Sequence, residues 1–547
     1  MDDPNNKGNS SSSYDSSSLS QPFLSKPPII TYPPIEEHDS QQDSESNQQY
    51  LHISYNHSPR SFKDIPFLIL FLLFLLSTFA FGIFSIFHRN TNFTTLSSYT
   101  FDSNTTSCIN PSFSSTSYPY FLSSSSPFTK DLTWTLVITF FLSLPMCYIL
   151  LLSLKHYTKH LVYASLPFFI LIPIFLNVYW FVACTVKPSC SDAFPLVYRI
   201  LVLGFVFLVI GVIVWILVLN WHRVELTVSI IGVASDALSW NMGLFGVLPC
   251  LTIGLVVYYV PIVVFLVFAK YNGKVVPRKL HGNEYGCVWK EDSWVPAYFA
   301  LAILTMLWSA SAMLEAQVYV ISGTIARWYF SKDYETPTKS IRTSLRNAFG
   351  PSSGTICLSG LLIFVVRVVR SVVDNARQED APGLVNIVLR CCVNAFLSAV
   401  DFLNKFTINF AAITGEAYCS SSRMTYELLR RNLLSAVFVE TISSRLLVGI
   451  VFVLSAVYTI VACVILKATT NLGADSYFVA ATAWVLLIIV LGFLVHVLDI
   501  VIDTIYVCYA IDRDRGEVCK QDVHEVYVHL PINRSLRQSN ITRTLGV

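Results

Sequence analysis

Two short stripes of acidic and aromatic residues stand inside long apolar runs, where charge is costly. In the run 297–320, Trp308, Glu315 and Tyr319 are seven and four residues apart. At 3.6 residues per turn they share one helical face, with Ser311 nearby. In the run 476–509, His496, Asp499, Asp503 and Tyr506 are spaced three, four and three apart and form a second stripe. An ionisable side chain in hydrocarbon costs a few kcal/mol on insertion scales, so it marks either a pathway or a buried pair. A carboxylate flanked by ring faces suits a permanently charged organic cation: the acid balances its charge and the rings attract quaternary ammonium. The expected substrate-binding residues are therefore Trp308, Glu315, Tyr319, Asp503 and Tyr506. The alternative pairs Asp499 and Asp503 with Arg or Lys near the inner face and places Tyr and Trp in interfacial belts. Glu315 has no Arg in its own run, which makes it the stronger candidate. Tyr179, Trp180, Tyr258 and Tyr259 either close a cage or face lipid and core.

The elements that position these residues are apolar stretches of about twenty residues, each able to cross a hydrocarbon core of roughly 30 Å. The stretches 66–87 and 132–154 contain no charge at all. The expected spans are 66–87, 132–154, 161–186, 196–219, 243–269, 297–320, 352–373, 385–410, 446–467 and 476–509. Polar residues (Arg390, Asn394, Asp401, Asn404 and Lys405) interrupt the run 385–410, whose alternative is an interfacial amphipathic helix. The last run is longer than a crossing needs, so it tilts or continues into the cytosol. The fold class is an all-α polytopic membrane protein, a bundle of about ten transmembrane helices.

Composition agrees. Of 547 residues, 53% are hydrophobic and 13% charged, against about a quarter charged in soluble domains. A net charge of +2 argues against nucleic-acid binding, which needs a concentrated basic face. The 13 cysteines include no C-x-x-C pair and no zinc spacing. No P-loop, zinc-protease, hydrolase or dinucleotide motif occurs, so neither enzyme activity nor a cofactor or metal is expected.

Residues 1–62 are rich in Ser, Gln, Asn and Pro and read as a disordered cytosolic tail; 63–512 form the transmembrane domain, and 513–547 a cytosolic C-terminal tail. The first apolar run follows a long polar segment and is too long for a signal peptide, so it acts as an uncleaved span. An even span count with Lys and Arg concentrated in alternate loops places both ends in the cytosol. The loop 88–131 then faces outward and carries two glycosylation sequons, at Asn92 and Asn104. Cys108, Cys190 and Cys287 also fall in outer loops, where two of them could pair. Cys508 and Cys519 flank the inner end of the last span as palmitoylation candidates. Residues 224–242 read as an amphipathic helix at the inner surface.

Four stretches resemble the choline transporter-like family. The first is Gly323-Thr324-Ile325-Ala326-Arg327-Trp328-Tyr329-Phe330, similar to a small-residue run closing in W-Y-F. The second is Ser344-Leu345-Arg346 leading to Gly354-Thr355-Ile356-Cys357-Leu358-Ser359-Gly360-Leu361-Leu362, with Thr355 where the family has Ser. The third, 404–432, carries the asparagine, A-I-x-G and aromatic-Cys-x-Ser pattern, with Tyr418 replacing Phe and Ser422 replacing Ala. The fourth, 499–514, matches the closing V-D-T-x-F-x-C-F-x-x-D. Together they cover roughly residues 297–515.

The resemblance implies a ten-span transporter of choline, and of ethanolamine, in the plasma membrane or in trans-Golgi and endosomal membranes. Alternating access with a titratable Glu315 would allow proton coupling. The competing reading is a non-transporting organiser of lipid homeostasis or vesicle traffic, acting through the tail and basic inner loops. An ion channel ranks last, since no filter or charged ring is evident.

Overall fold

Lipid offers no hydrogen-bond partner to a backbone, so an apolar run of membrane length must satisfy its own N–H and C=O groups as a helix. The computed structural model describes residues 55, 60–90, 99–102, 107–109, 127–186, 190, 195–279, 285–331, 340–375, 384–469, 473, 475–515 and 517–530. The helices are α1 (Ile65–Phe87), α2 (Pro127–Val186), α3 (Leu196–Leu219), α4 (Trp221–Trp240), α5 (Leu244–Lys270) and α6 (Val295–Tyr329). They continue with α7 (Ser340–Phe349), α8 (Ser353–Asn375), α9 (Leu384–Thr414), α10 (Tyr418–Thr469), α11 (Asp475–Arg515) and α12 (Gln521–Tyr527). Two antiparallel hairpins, β1 (Thr100–Asp102) with β2 (Ser107–Ile109) and β3 (Gly273–Lys279) with β4 (Tyr285–Glu291), complete the described elements.

Among the described residues, nine helices are long and apolar enough to cross a membrane. One of them, α2, has 60 residues and breaks at Tyr157 (φ −129, ψ 27). Its first arm bonds α10 through Thr139 and Tyr458 at 2.9 Å, and Phe169 of its second arm lies against Gly449 of the same helix. Thr139 and Phe169 would be about 45 Å apart in a straight helix, whereas Tyr458 and Gly449 lie about 14 Å apart along α10. The arms therefore fold back at Tyr157 and form the two spans expected at 132–154 and 161–186. Among the described residues, ten segments are then long and apolar enough to cross a membrane.

The doubtful run 385–410 lies within the helix α9, of which 391–414 meets the length and composition of a span. Its polar residues meet neighbouring helices: Arg370 of α8 pairs with Asp401 at 3.0 Å, and Lys405 reaches α11. The expected surface helix at 224–242 is different in kind. Helix α4 buries Val224, Ile230, Ile231, Ala234 and Leu238 and packs against α2, α10, α11 and α12. Lys155–Asp236 (2.8 Å) and Lys159–Glu225 (3.8 Å) clip it to the bend of α2. It is a crossbar inside the protein because its apolar residues occupy more than one face.

At the opposite end, the hairpins are joined by the Cys108–Cys287 disulfide and by stacking of Phe101 on Tyr285 at 5.0 Å. Cys190 pairs instead with Cys184, which the sequence reading places inside a span. Disulfides belong to an oxidising compartment, in keeping with the expectation that this end lies outside or in a lumen. Asn92 and Asn104 lie outside the described residues.

Helices α6 and α8 meet where Gly360 faces Ala312; a Cβ at Gly360 would stand 2.6 Å from the Ala312 Cα. Small residues permit such approach in membranes, where packing drives association. Gly360→Val is expected to lower stability by about 1–3 kcal/mol, read as a lower melting temperature in detergent. An unchanged melting temperature would contradict this account of the α6–α8 contact.

Candidate functional site

Trp308, Glu315 and Tyr319 do share a face of α6, and that face meets the inner half of α8. The Trp308 indole donates to the Cys357 carbonyl at 3.0 Å, while Phe71 and Phe74 of α1 present their rings edge-on at 5.2 and 5.6 Å. The Tyr319 hydroxyl lies 2.7 Å from the Ser352 hydroxyl just before α8. Arg60 bonds that same hydroxyl, donates to the Ala412 carbonyl at 2.5 Å, and holds its guanidinium 5.6 Å from the centre of the Tyr319 ring.

Glu315 sits between these rings in sequence; its direct contacts are dipoles, and the Arg367 guanidinium of α8 acts on it at longer range. Its carboxyl lies 2.9 Å from the Ser359 hydroxyl. That hydroxyl also lies 2.9 Å from the Asn404 amide, and the Tyr418 hydroxyl approaches the same amide atom at 2.6 Å. Ser359 owns one proton and cannot donate both ways. Two arrangements satisfy the group. Either Glu315 carries a proton and donates to Ser359, which donates to the Asn404 carbonyl, or the Asn404 amide is turned and donates to Ser359 and Tyr418. The network therefore has a protonated and a deprotonated form with the same heavy-atom positions. Among the described residues, Glu315 forms no ion pair.

The second stripe is built differently. Lys405 of α9 stands 2.8 Å from the Asp499 carboxylate and 2.6 Å from that of Asp503. Asp503 and Tyr506 are fully buried, and the Tyr506 ring packs edge-on to Phe406 at 6.3 Å. Asn404 and Lys405 are neighbours in sequence, about 100° apart around α9, so one helix faces both acids and keeps them apart. The five expected residues therefore fall into two stations: Trp308, Glu315 and Tyr319 on one side, Asp503 and Tyr506 on the other. His496 is exposed on the bundle and interacts with Asp499 and Lys405 of the second station at longer range. Of the accessory aromatics, Tyr258 and Tyr259 bond Ser309 and the Met306 carbonyl of α6, whereas Tyr179 is exposed.

A family model described as plasma-membrane choline transporter matches residues 204–514. The chain belongs to the choline transporter-like family. Choline transporter-like protein 2 of Dictyostelium discoideum is 25% identical over 335 residues, 58% of this chain and 52% of that protein. Choline transporter-like protein 3 of Homo sapiens is 22% identical over 335 residues, covering 58% and 49%. A CTL-like protein of Dictyostelium discoideum is 22% identical over 242 residues, covering 41% and 43%. The chain thus spans about half the length of the curated relatives it matches.

In this choline transporter-like chain the closing Asp512 is a buried latch. Tyr329 donates to it at 3.0 Å, the Cys519 amide at 2.9 Å, the Cys519 thiol at 3.2 Å, and His524 lies 3.4 Å away. Burial, reinforced by the Asp512 carboxylate, pushes the Cys519 thiol up to about 12. Cys508 is fully buried and out of reach of acylation, whereas Cys519 is half-buried. Sequence reasoning also missed Arg60 and Asp64, because charge just ahead of a first span reads as a topology signal.

Removing Lys405 leaves two acids without their counter-charge. Lys405→Ala is expected to cost about 3–5 kcal/mol, and Lys405→Met combined with Asp499→Asn and Asp503→Asn to recover most of it. Thermal unfolding in detergent measures both. A single variant that melts with the parent would show that the pair does not hold α9 to α11.

Proposed function

We propose that this multi-pass membrane protein carries choline or a related organic cation, ethanolamine included, across the plasma membrane or a trans-Golgi or endosomal membrane. The observation that carries the reading is the contrast between the two stations. Asp499 and Asp503 have a lysine in direct contact, whereas Glu315 touches only hydroxyl and amide dipoles and feels Arg367 of α8 at longer range. A carboxyl in hydrocarbon with no cation in contact favours holding a proton or receiving a mobile cation. Trp308 and Tyr319 supply ring faces on the same helical stripe, which quaternary ammonium favours. Asp503 and Tyr506 form the second station, across α9, where Lys405 stands in for a substrate cation.

Proton coupling within an alternating-access cycle is consistent with the same chemistry. A proton on Glu315 and a substrate cation compete for one charge, so loading one releases the other, and the Ser359–Asn404 relay accommodates either state. No nucleotide is required. Choline-type relatives support the substrate class.

Purified protein in liposomes is expected to show saturable uptake of radiolabelled choline that responds to a proton gradient. Glu315→Gln mimics the protonated acid and cannot balance the substrate. Loss of an interaction worth about 1.4 kcal/mol or more lowers affinity about tenfold or more, and the proton-gradient response should vanish with it. Equal fluxes in the parent and Glu315→Gln proteins would remove Glu315 from the path.

A further inference from the structure

The hydroxyl edge of Tyr319 already meets a cation, and that cation belongs to the chain itself. Arg60 precedes α1 by five residues, yet it reaches α6 and the end of α9 together. Its stem crosses Gly415, which has φ +76; a Cβ there would stand 3.2 Å from the arginine Nε. Glycine at this position supplies both the left-handed turn and the room.

The residues that follow form a strap across the inner end of the bundle. The Lys63 amide donates to the Pro351 carbonyl at 3.1 Å, and its ammonium lies 3.7 Å from Glu416. Asp64 takes a left-handed conformation (φ 53), which aspartate tolerates better than most residues. Its carboxylate accepts from the Tyr418 amide at 2.8 Å and the Thr355 hydroxyl at 2.7 Å. It thereby places an anion at the first turns of α8 and α10, where helix dipoles favour one. The Lys63 and Asp64 carbonyls occupy the space that any side chain at Gly354 would need.

We propose that Arg60 is a tethered competitor for the transported cation. The Tyr319 ring, the Ala412 carbonyl and the Ser352 hydroxyl make an inner subsite for an organic ammonium. Arg60 closes that subsite while the strap is docked and opens it on leaving. A ring face beside a carbonyl acceptor is the surface an organic ammonium ion uses. A short tether presents its charge at an effective concentration on the order of millimolar, so weak intrinsic affinity is enough to occlude the subsite. Asp64 is the fixed anchor. The Lys63–Glu416 pair is half-exposed and adds little hold. Opening then needs only the loss of the Arg60 contacts. The inference rests on the transport reading, because it concerns the inner mouth of the Glu315 path.

The test compares choline binding to purified protein, and choline exchange in liposomes, for the parent, Arg60→Ala, Arg60→Gln, Arg60→Lys and Glu315→Gln proteins. Arg60→Gln keeps a polar amide donor and part of the stem but lacks the charge, so it guards against a folding defect in Arg60→Ala. Removing the competitor raises the competent fraction, so the Ala and Gln variants should bind choline about fivefold tighter or more and exchange faster. Arg60→Lys should stay near the parent. Suppose Arg60→Gln melts normally but binds choline no better, while Glu315→Gln still abolishes flux. The competitor proposal then fails and the carrier stands. Absence of Glu315-dependent binding in every variant, Arg60→Ala and Arg60→Gln included, overturns both.

Discussion

A charge enclosed by lipid must be answered by an opposite charge, a proton or a ligand, and α9 decides which answer each acid receives. Lys405 turns toward α11 and neutralises Asp499 and Asp503. Asn404, one residue earlier, turns toward α8 and offers Glu315 a dipole network through Ser359. An ammonium ion makes one station structural; an amide leaves the other without a cation in contact, which is the basis of the exchange we propose. The close approach of α6 and α8 at Gly360 brings Ser359 within reach of Glu315, so helix packing and site chemistry depend on the same small residue.

The stretches that resemble the choline transporter-like family converge in space. Tyr329 of the first binds Asp512 of the fourth, and Ser322, just before the first, bonds both Asn409 of the third and Thr504 of the fourth. Thr355 of the second and Tyr418 of the third meet on Asp64. These contacts lie in the inner half of the bundle, which α4, the Asp512 latch and the 60–64 strap close. The outer end is held by disulfides and hairpins instead. A structure fastened this way has its polar contacts at the end away from the disulfide-held hairpins.

Most of this architecture could be read from periodicity. Uncharged runs of membrane length permit one backbone solution, so the spans were legible, and the spacing of Trp308, Glu315 and Tyr319 announced their shared face. What could not be read was tertiary. Lys405 looked like a flaw in a weak span because its partners lie 94 residues or more away on α11. Arg60 and Asp64 resembled the end of a polar tail because strap contacts have no periodicity. The 224–242 helix looked interfacial because its polar residues suggested water, whereas Asp236 and Glu225 meet lysines of α2. The pairing of Cys190 with Cys184 was hidden by the apolar run around Cys184.

The central claim is that positive charge, not shape, is what the Glu315 station recognises. Calorimetric titration of the purified protein with choline and with 3,3-dimethylbutan-1-ol, its uncharged isostere, tests this directly. The account predicts saturable binding of choline and none of the alcohol over the same range. Equal binding of both, or of neither, would contradict it.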